Sequence, residues 1–171
     1  MIIRQETPAD YNCVYELIKN AFSTAEHADG NEHDLVTALR KGASFISELS
    51  LVAEINGKTI GHIMFTKAEV GKNEVLALAL APLSVDPKYQ RQGVGTALII
   101  EGHKIARKLG YEYSLVLGSE TYYPRAGYTS AEKFGIEVPK GFPPENFMAI
   151  KLHEHAKPIC GSVVYAKEFG L

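Results

Sequence analysis

Two glycines, two glutamines and an arginine crowd the middle of "SVDPKYQRQGVGTALI", residues Ser84–Ile99. This combination could hold an anion without any charged side chain touching it. Gly93 and Gly95 let consecutive backbone N–H groups turn inward, and a helix starting at about Thr96 adds the positive end of its dipole. Arg91 could add a rim charge, although a solvated arginine is the blander reading. A plain strand-to-helix turn would use the same glycines, so the pattern alone is weak. Two familiar phosphate motifs do not fit. A P-loop needs Gly-Lys-Ser/Thr, whereas Thr96 follows Gly95 directly. A dinucleotide fingerprint needs a small residue where Leu98 stands, and an earlier place in the chain.

Other residues with chemical potential are more scattered. His27, His33, His153 and His155 raise a metal site. "HEH" at 153–155, expected at a strand end, would put two rings on one side, but no third ligand has a defined spacing, and no metal is expected. Cys13 falls within a helical stretch that suggests packing, and Cys13 and Cys160 have no ligand spacing.

These residues need a scaffold, and the chain's bulk properties describe one. Its 171 residues suit a single domain, 1–171, with a substantial core. Against 18 basic residues stand 20 acidic ones, so no basic face for nucleic acid is expected. No apolar stretch is long enough to span a bilayer. The start "MIIRQETPAD" lacks a signal peptide's apolar core, and two lone cysteines suit a reducing compartment; the expectation is a cytoplasmic protein.

"MIIR" begins as a strand. "TPADYNCVYELIKNAF" reads as a helix capped by Thr7, with Tyr11, Val14, Ile18 and Phe22 as its buried stripe. "EHDLVTALRK" is a second helix, ending near Gly42. Asn56-Gly57 between two β-rich runs predicts a hairpin. "NEVLALALAPLSV" carries Leu76, Leu78 and Leu80 on one face and alanines on the other, as in a central strand. Pro82 interrupts it and predicts a bulge, or the departure of a neighbouring strand. Thr96–Leu109 is expected to be helical, with Leu98, Gly102, Ile105 and Leu109 packed. A strand "YEYSLVL", a short helix or turn "SETYYPRAG", and a late strand "FMAIKL" follow. The order β-α-α-β-β-β-α-β-α-β is a mixed α/β layer.

With both motifs placed, the chain resembles the GNAT superfamily of acetyl-coenzyme-A-dependent N-acetyltransferases, and in particular its small bacterial YhbS-like group. Gln90-x-x-Gly93-x-Gly95 matches the superfamily's pyrophosphate loop. "LGSETYYPRAGY" matches the usual tyrosine followed four residues later by glycine and an aromatic, here Tyr123, Gly127 and Tyr128. The resemblance implies a twisted, mostly antiparallel sheet flanked by helices, with central strands four and five splayed. Pantetheine would lie in that wedge beside Leu83, Ser84 and Val85. Gln90, Arg91, Gln92, Gly93, Val94, Gly95 and Thr96 would hold the pyrophosphate through main-chain N–H groups. Many members carry an asparagine after strand five; here Gly118-Ser119 stands there, leaving Ser119 as the candidate contact.

Acetyl transfer from a thioester requires a neutral amine, a stabilised carbonyl oxygen and a protonated leaving thiolate. Backbone N–H groups freed near Leu83 could serve the oxygen. Tyr123, a phenol protonated at neutral pH, could serve the thiolate. Glu26, Glu32, Glu74, Glu120 and His62 are candidate bases, none singled out, and His62 suits a satisfied core histidine better. Glu26, Asp29, Glu32 and Asp34 could attract a cationic amine, although a polar loop explains them as well. The expected reaction is direct transfer from acetyl-CoA, the cosubstrate, to a small-molecule or peptide amine. An exposed late strand could pair two subunits as a homodimer. The alternative is a catalytically silent acyl-CoA-binding sensor, which would have no use for Tyr123; a nucleotide-binding regulator is a second rival.

Overall fold

The computed structural model describes residues 1–23, 30–72 and 75–171. Strands β1 (Ile2–Gln5), β2 (Phe45–Ile55), β3 (Lys58–Val70), β4 (Ala77–Val85), β5 (Tyr113–Leu117), β6 (Thr129–Ser130), β7 (Phe147–Lys151) and β8 (Val163–Val164) form a sheet. Its order is β1-β2-β3-β4-β5-β7-β6, with β8 beside β3. Every pairing is antiparallel except β4 with β5. Helices α1 (Tyr11–Phe22), α2 (Glu32–Arg40) and α3 (Val94–Lys108) complete the layers.

The β2–β3 hairpin turns at Asn56 and Gly57, with φ of 48° and 78°. Both angles lie in the left-handed region that a tight hairpin requires. Along β3, side chains alternate between two cores. Ile63 and Phe65 join the cluster that includes Leu98, Ile99 and Ala106 of α3. Met64 joins Val14, Ile18, Val36 and Leu39 of α1 and α2. A third cluster, with Tyr113, Leu115, Phe147 and Ala149, lies under the C-terminal segment.

Local readings fared unevenly at element ends. Thr7 opens a short 3-10 turn, Pro8–Asp10, rather than α1 itself, and the Thr7 N–H donates to Asp10 Oδ2 at 2.7 Å. The buried face of α1 is Val14, Leu17, Ile18 and Ala21. Tyr11 instead lies beneath the Arg40 guanidinium, 4.0 Å from its carbon. Helix α3 begins two residues earlier than expected, and its packed stripe runs through Leu98, Ile99, Gly102, His103 and Ala106, with Leu109 exposed. A Cβ on Gly102 would enter the Phe65 ring, so glycine sets how closely α3 approaches the sheet. β6 and β8, two residues each, are too short to carry a periodic signal. The late strand, β7, lies between β5 and β6, with β6 covering Met148 and Ala149. The "HEH" residues follow β7 in a bend and turn, not at a strand end.

Two buried polar clusters brace opposite faces of the sheet. On the α1–α2 face, Arg40 donates to both Glu6 carboxylate oxygens at 3.0 and 2.7 Å. Ser50 Oγ donates to Glu6 at 2.6 Å and lies 3.1 Å from His62 Nε2. Burial opposes ionisation of Glu6, but hydrogen bonds with His62, Arg40 and Ser50 outweigh it and hold its pKa at about 2. On the α3 face, the Tyr128 hydroxyl sits 2.9 Å from His103 Nε2 and 2.8 Å from Ser114 Oγ. Burial, with help from the Arg107 charge, lowers the His103 pKa from 6.5 to about 4.

Both shifts are depressions, so both contribute stability at neutral pH that disappears on acidification. His103 acts as pH falls from 6.5 to about 4, and Glu6 as it falls from 4.5 to about 2. Thermal melts of His103→Leu should therefore show a flatter decline of Tm between pH 6.5 and 4 than the unsubstituted protein. An unchanged slope would remove His103 as its source.

Candidate active site

β4 and β5 are paired only through Ala77–Tyr113, Leu78–Ser114 and Ala79–Leu115. Beyond Ala79 they separate. On the other side of β4, the register with β3 jumps from Phe65–Leu80 to Ile63–Leu83, so Ala81 and Pro82 together oppose Met64. The expected bulge at Pro82 is therefore present, at the point where the neighbouring strand departs. A cavity of about 1550 Å³ opens in the gap, lined by Leu80–Leu83 and Val85 from β4 and Leu115–Leu117 from β5.

Strand alternation settles which backbone groups face this gap. The Asp86 N–H donates to the Ile60 carbonyl at 2.8 Å, toward β3. Ser84 shares that direction, leaving the N–H and C=O of Leu83 and Val85 toward the open side. Gln90 Nε2 donates to the Val85 carbonyl at 3.1 Å. The side chains of Leu83 and Val85 also line the cavity. Ser84 departs from expectation: its side chain is buried against the opposite face, beside His62 in the register, and does not line the gap.

The loop after β4 is shaped by local hydrogen bonds. Asp86 accepts from the Lys88 N–H at 2.9 Å, and Gln92 Nε2 donates to the Lys88 carbonyl at 3.1 Å. Gln92 therefore sits off the cavity, whereas Gln90, Arg91, Gly93, Val94, Gly95 and Thr96 line it. Arg91 and Gly93 have φ of 61° and 87°, the second at the N-cap of α3. The first helical bond runs from the Ala97 N–H to the Gly93 carbonyl at 3.0 Å. The N–H groups of Val94, Gly95 and Thr96 precede it, at the positive end of the dipole.

The two glycines thus differ in purpose. Gly93 supplies a left-handed backbone with open space around it. Gly95, inside the first turn of α3, supplies room, because a Cβ there would strike the Tyr122 hydroxyl. The spacing between Gly95 and Tyr122 carries no signal for this contact. Nor does an arginine announce a left-handed turn.

Tyr123 begins a 3-10 turn, Tyr123–Ala126, past β5. Its ring meets Tyr122 and Tyr128 edge-on at centroid distances of 5.1 and 5.8 Å. It also covers Gly118 so closely that a Cβ there would enter the ring. Burial, then the neighbouring Tyr122, pushes its pKa well above the usual phenol value, so the hydroxyl is protonated at neutral pH. Ser119 lines the cavity, and its carbonyl accepts the Tyr122 and Tyr123 N–H groups at 3.2 Å each.

Among the base candidates, Glu32 lines the cavity, as does Asp34 of the acidic group. Glu120 is exposed and accepts from Asn146 at 2.7 Å. His62 lies in the Glu6 cluster on the other face. Glu26, His27, Asp29 and Glu74 fall outside the described residues. Among the described residues, no group of three His, Cys, Asp or Glu side chains could hold a metal ion, and no helix is long and apolar enough to cross a membrane. Sequence reasoning passed over Glu168, Phe169 and Tyr165, which also line the cavity from the far end of the chain.

Residues 12–128 match the model of the acetyltransferase (GNAT) family. The chain belongs to the GNAT family. It is an acyltransferase of the kind that uses acetyl-CoA as cosubstrate. It is 39% identical to the uncharacterized N-acetyltransferase YjhQ of Escherichia coli over 142 residues, 81% of this chain and 75% of YjhQ. It is 33% identical to the E. coli uncharacterized N-acetyltransferase YhbS over 132 residues, 77% of this chain and 75% of YhbS. The structure of YhbS in complex with CoA superposes with a TM-score of 0.89 at 28% identity, covering 99% of this chain and 92% of that one. A GNAT acetyltransferase from Brucella melitensis in complex with acetyl-CoA gives 0.82 at 30% identity, with coverage of 98% and 97%.

Within this GNAT fold, Gly93→Val would force a branched residue into a left-handed conformation, at a cost of about 1–2 kcal/mol. Isothermal titration should show acetyl-CoA affinity weakened at least ~10-fold, with the melting curve displaced by only a few degrees. Retained affinity would disprove a pyrophosphate site at Gln90–Thr96.

Proposed function

We propose that this protein transfers the acetyl group of acetyl-CoA directly to a primary amine, with both substrates bound at once. The reading rests chiefly on the separation of β4 from β5 beside the free N-terminus of α3. Pantetheine in the gap would satisfy the outward N–H and C=O of Leu83 and the N–H of Val85, as a third strand would, the Val85 carbonyl already accepting from Gln90. The pyrophosphate would sit on the N–H groups around Gly93–Thr96.

The amine nitrogen, neutral on attack, gives its lone pair to the thioester carbonyl carbon. Charge gathers on the carbonyl oxygen, where the Leu83 N–H is suitably directed to stabilise it. As the carbon–sulfur bond breaks, the electron pair leaves with sulfur. The Tyr123 hydroxyl donates its proton to that thiolate, giving CoA, and takes one back from solvent, while the new amide nitrogen releases a proton to solvent. A phenol with a burial-raised pKa remains a donor throughout the neutral range. The same reading keeps the protein in the cytoplasm, with its cosubstrate.

Stopped assays of CoA release against a panel of amines test the proposal. Tyr123→Phe should lower kcat by ~100-fold while leaving acetyl-CoA affinity within about twofold. If CoA release never exceeds background for any amine while acetyl-CoA still binds, the chain is a silent acyl-CoA sensor and the enzymatic reading is lost.

A further inference from the structure

The cavity has two chemically different ends. At one end lie the Gln90–Thr96 run, the Tyr123 turn and two arginines, Arg91 and Arg125. The other is walled by Phe22 of α1, Leu35 of α2, and three rings from the last thirty residues, Phe142, Tyr165 and Phe169. These rings form a row, with centroids 6.4 Å apart for Phe142–Tyr165 and 5.6 Å for Tyr165–Phe169. The row rests on two cores: Phe142 and Tyr165 on the β5–β7 cluster, Phe169 on the α1–α2 cluster. The rings are therefore supported from behind while their remaining surface faces the cavity.

Glu168 stands in the same turn, Lys167–Phe169, half-buried and pressed against Gly42, whose Cβ, if present, would strike its carboxylate. No hydrogen bond or ion pair engages the Glu168 carboxylate among the described residues. A carboxylate held beside aromatic rings is suited to an ammonium group, which the ring faces also attract. Asp34, from α2, adds a second negative charge to this end; its carboxylate accepts the Tyr15 hydroxyl at 3.0 Å.

We propose that the acceptor is a primary amine on an aromatic or similarly flat apolar body without a carboxylate of its own, its ammonium drawn in by Glu168 and its body stacked on Phe142, Tyr165 and Phe169. The proposal rests on the reading that the opposite end holds acetyl-CoA. A carboxylate beside the amine, as in an amino acid, would meet Glu168 and Asp34 and be repelled. A polyamine would supply charge but leave the rings uncovered.

Phenethylamine, phenylalanine and spermidine, each assayed with acetyl-CoA and the full chain, separate these cases. Phenethylamine should have a kcat/KM at least ~10-fold above either competitor, over spermidine because it buries an aromatic ring and over phenylalanine because it brings no carboxylate to Glu168 and Asp34. Glu168→Gln should raise the KM for phenethylamine about tenfold and leave the KM for acetyl-CoA unchanged. Phe169→Leu, which keeps apolar volume but loses the flat face, should raise the same KM several-fold. A higher kcat/KM for spermidine or phenylalanine, or a phenethylamine KM indifferent to Glu168→Gln, would overturn the proposal. Should no amine turn over, calorimetric titration of the same amines into the CoA-loaded protein decides: tighter binding of phenethylamine, weakened by Glu168→Gln, supports it, and any other order refutes it. Failure of acetyl-CoA itself to bind would defeat the earlier reading instead, and the amine titration on the unloaded chain would still judge this one.

Discussion

β4 and β5 share three residue pairs and then part, and the remainder of the site depends on that separation. Backbone donors and acceptors inside a protein must find partners, since each one left unmet costs on the order of 1–3 kcal/mol. A sheet that opens in its middle creates such groups on Leu83 and Val85. The fold handles one of them internally, by sending the Gln90 side chain back to the Val85 carbonyl. The bulge at Ala81–Pro82 bends β4 where the ladder ends, and the strand runs on into a loop that delivers the N-terminus of α3 to the same opening. Ligand capacity here follows from backbone geometry more than from any set of charged side chains.

Around that opening the protein is stiffened on both faces. The Glu6–Arg40–Ser50–His62 cluster ties the segment after β1, helix α2 and strands β2 and β3 together, and α2 is also a wall of the cavity. The His103–Tyr128–Ser114 cluster anchors the ring that backs Tyr123. Each places a hydrogen-bonded polar core directly behind one wall of the site. The position of Tyr123 is thereby set through Tyr128, whose backbone N–H also donates to the Tyr123 carbonyl at 3.4 Å.

Much of this could be read from residue order. Asn56-Gly57 marked the hairpin, Pro82 the bulge, and the glycine run the start of α3, because each depends on a backbone property carried by a single residue type. The family followed from two motifs in the right succession. What could not be read depends on contacts between distant segments. The direction of the Ser84 side chain follows from a strand register that local alternation does not reveal. The sequence suggests that Gly95, like Gly93, turns its N–H inward, yet its requirement is space for Tyr122, twenty-seven residues later. The aromatic row at the C-terminal end carries no periodicity, and Phe142, Tyr165 and Phe169 become one surface only after the chain folds back over α2.

The Gly118–Tyr123 contact has an evolutionary consequence. The ring occupies the volume that any side chain at position 118 would need. A side chain at position 118 and this tyrosine in this pose exclude each other, so the two positions are not free to vary independently. The bare backbone at position 118 is then one half of a coupled choice, the other half being how this protein seats its phenol.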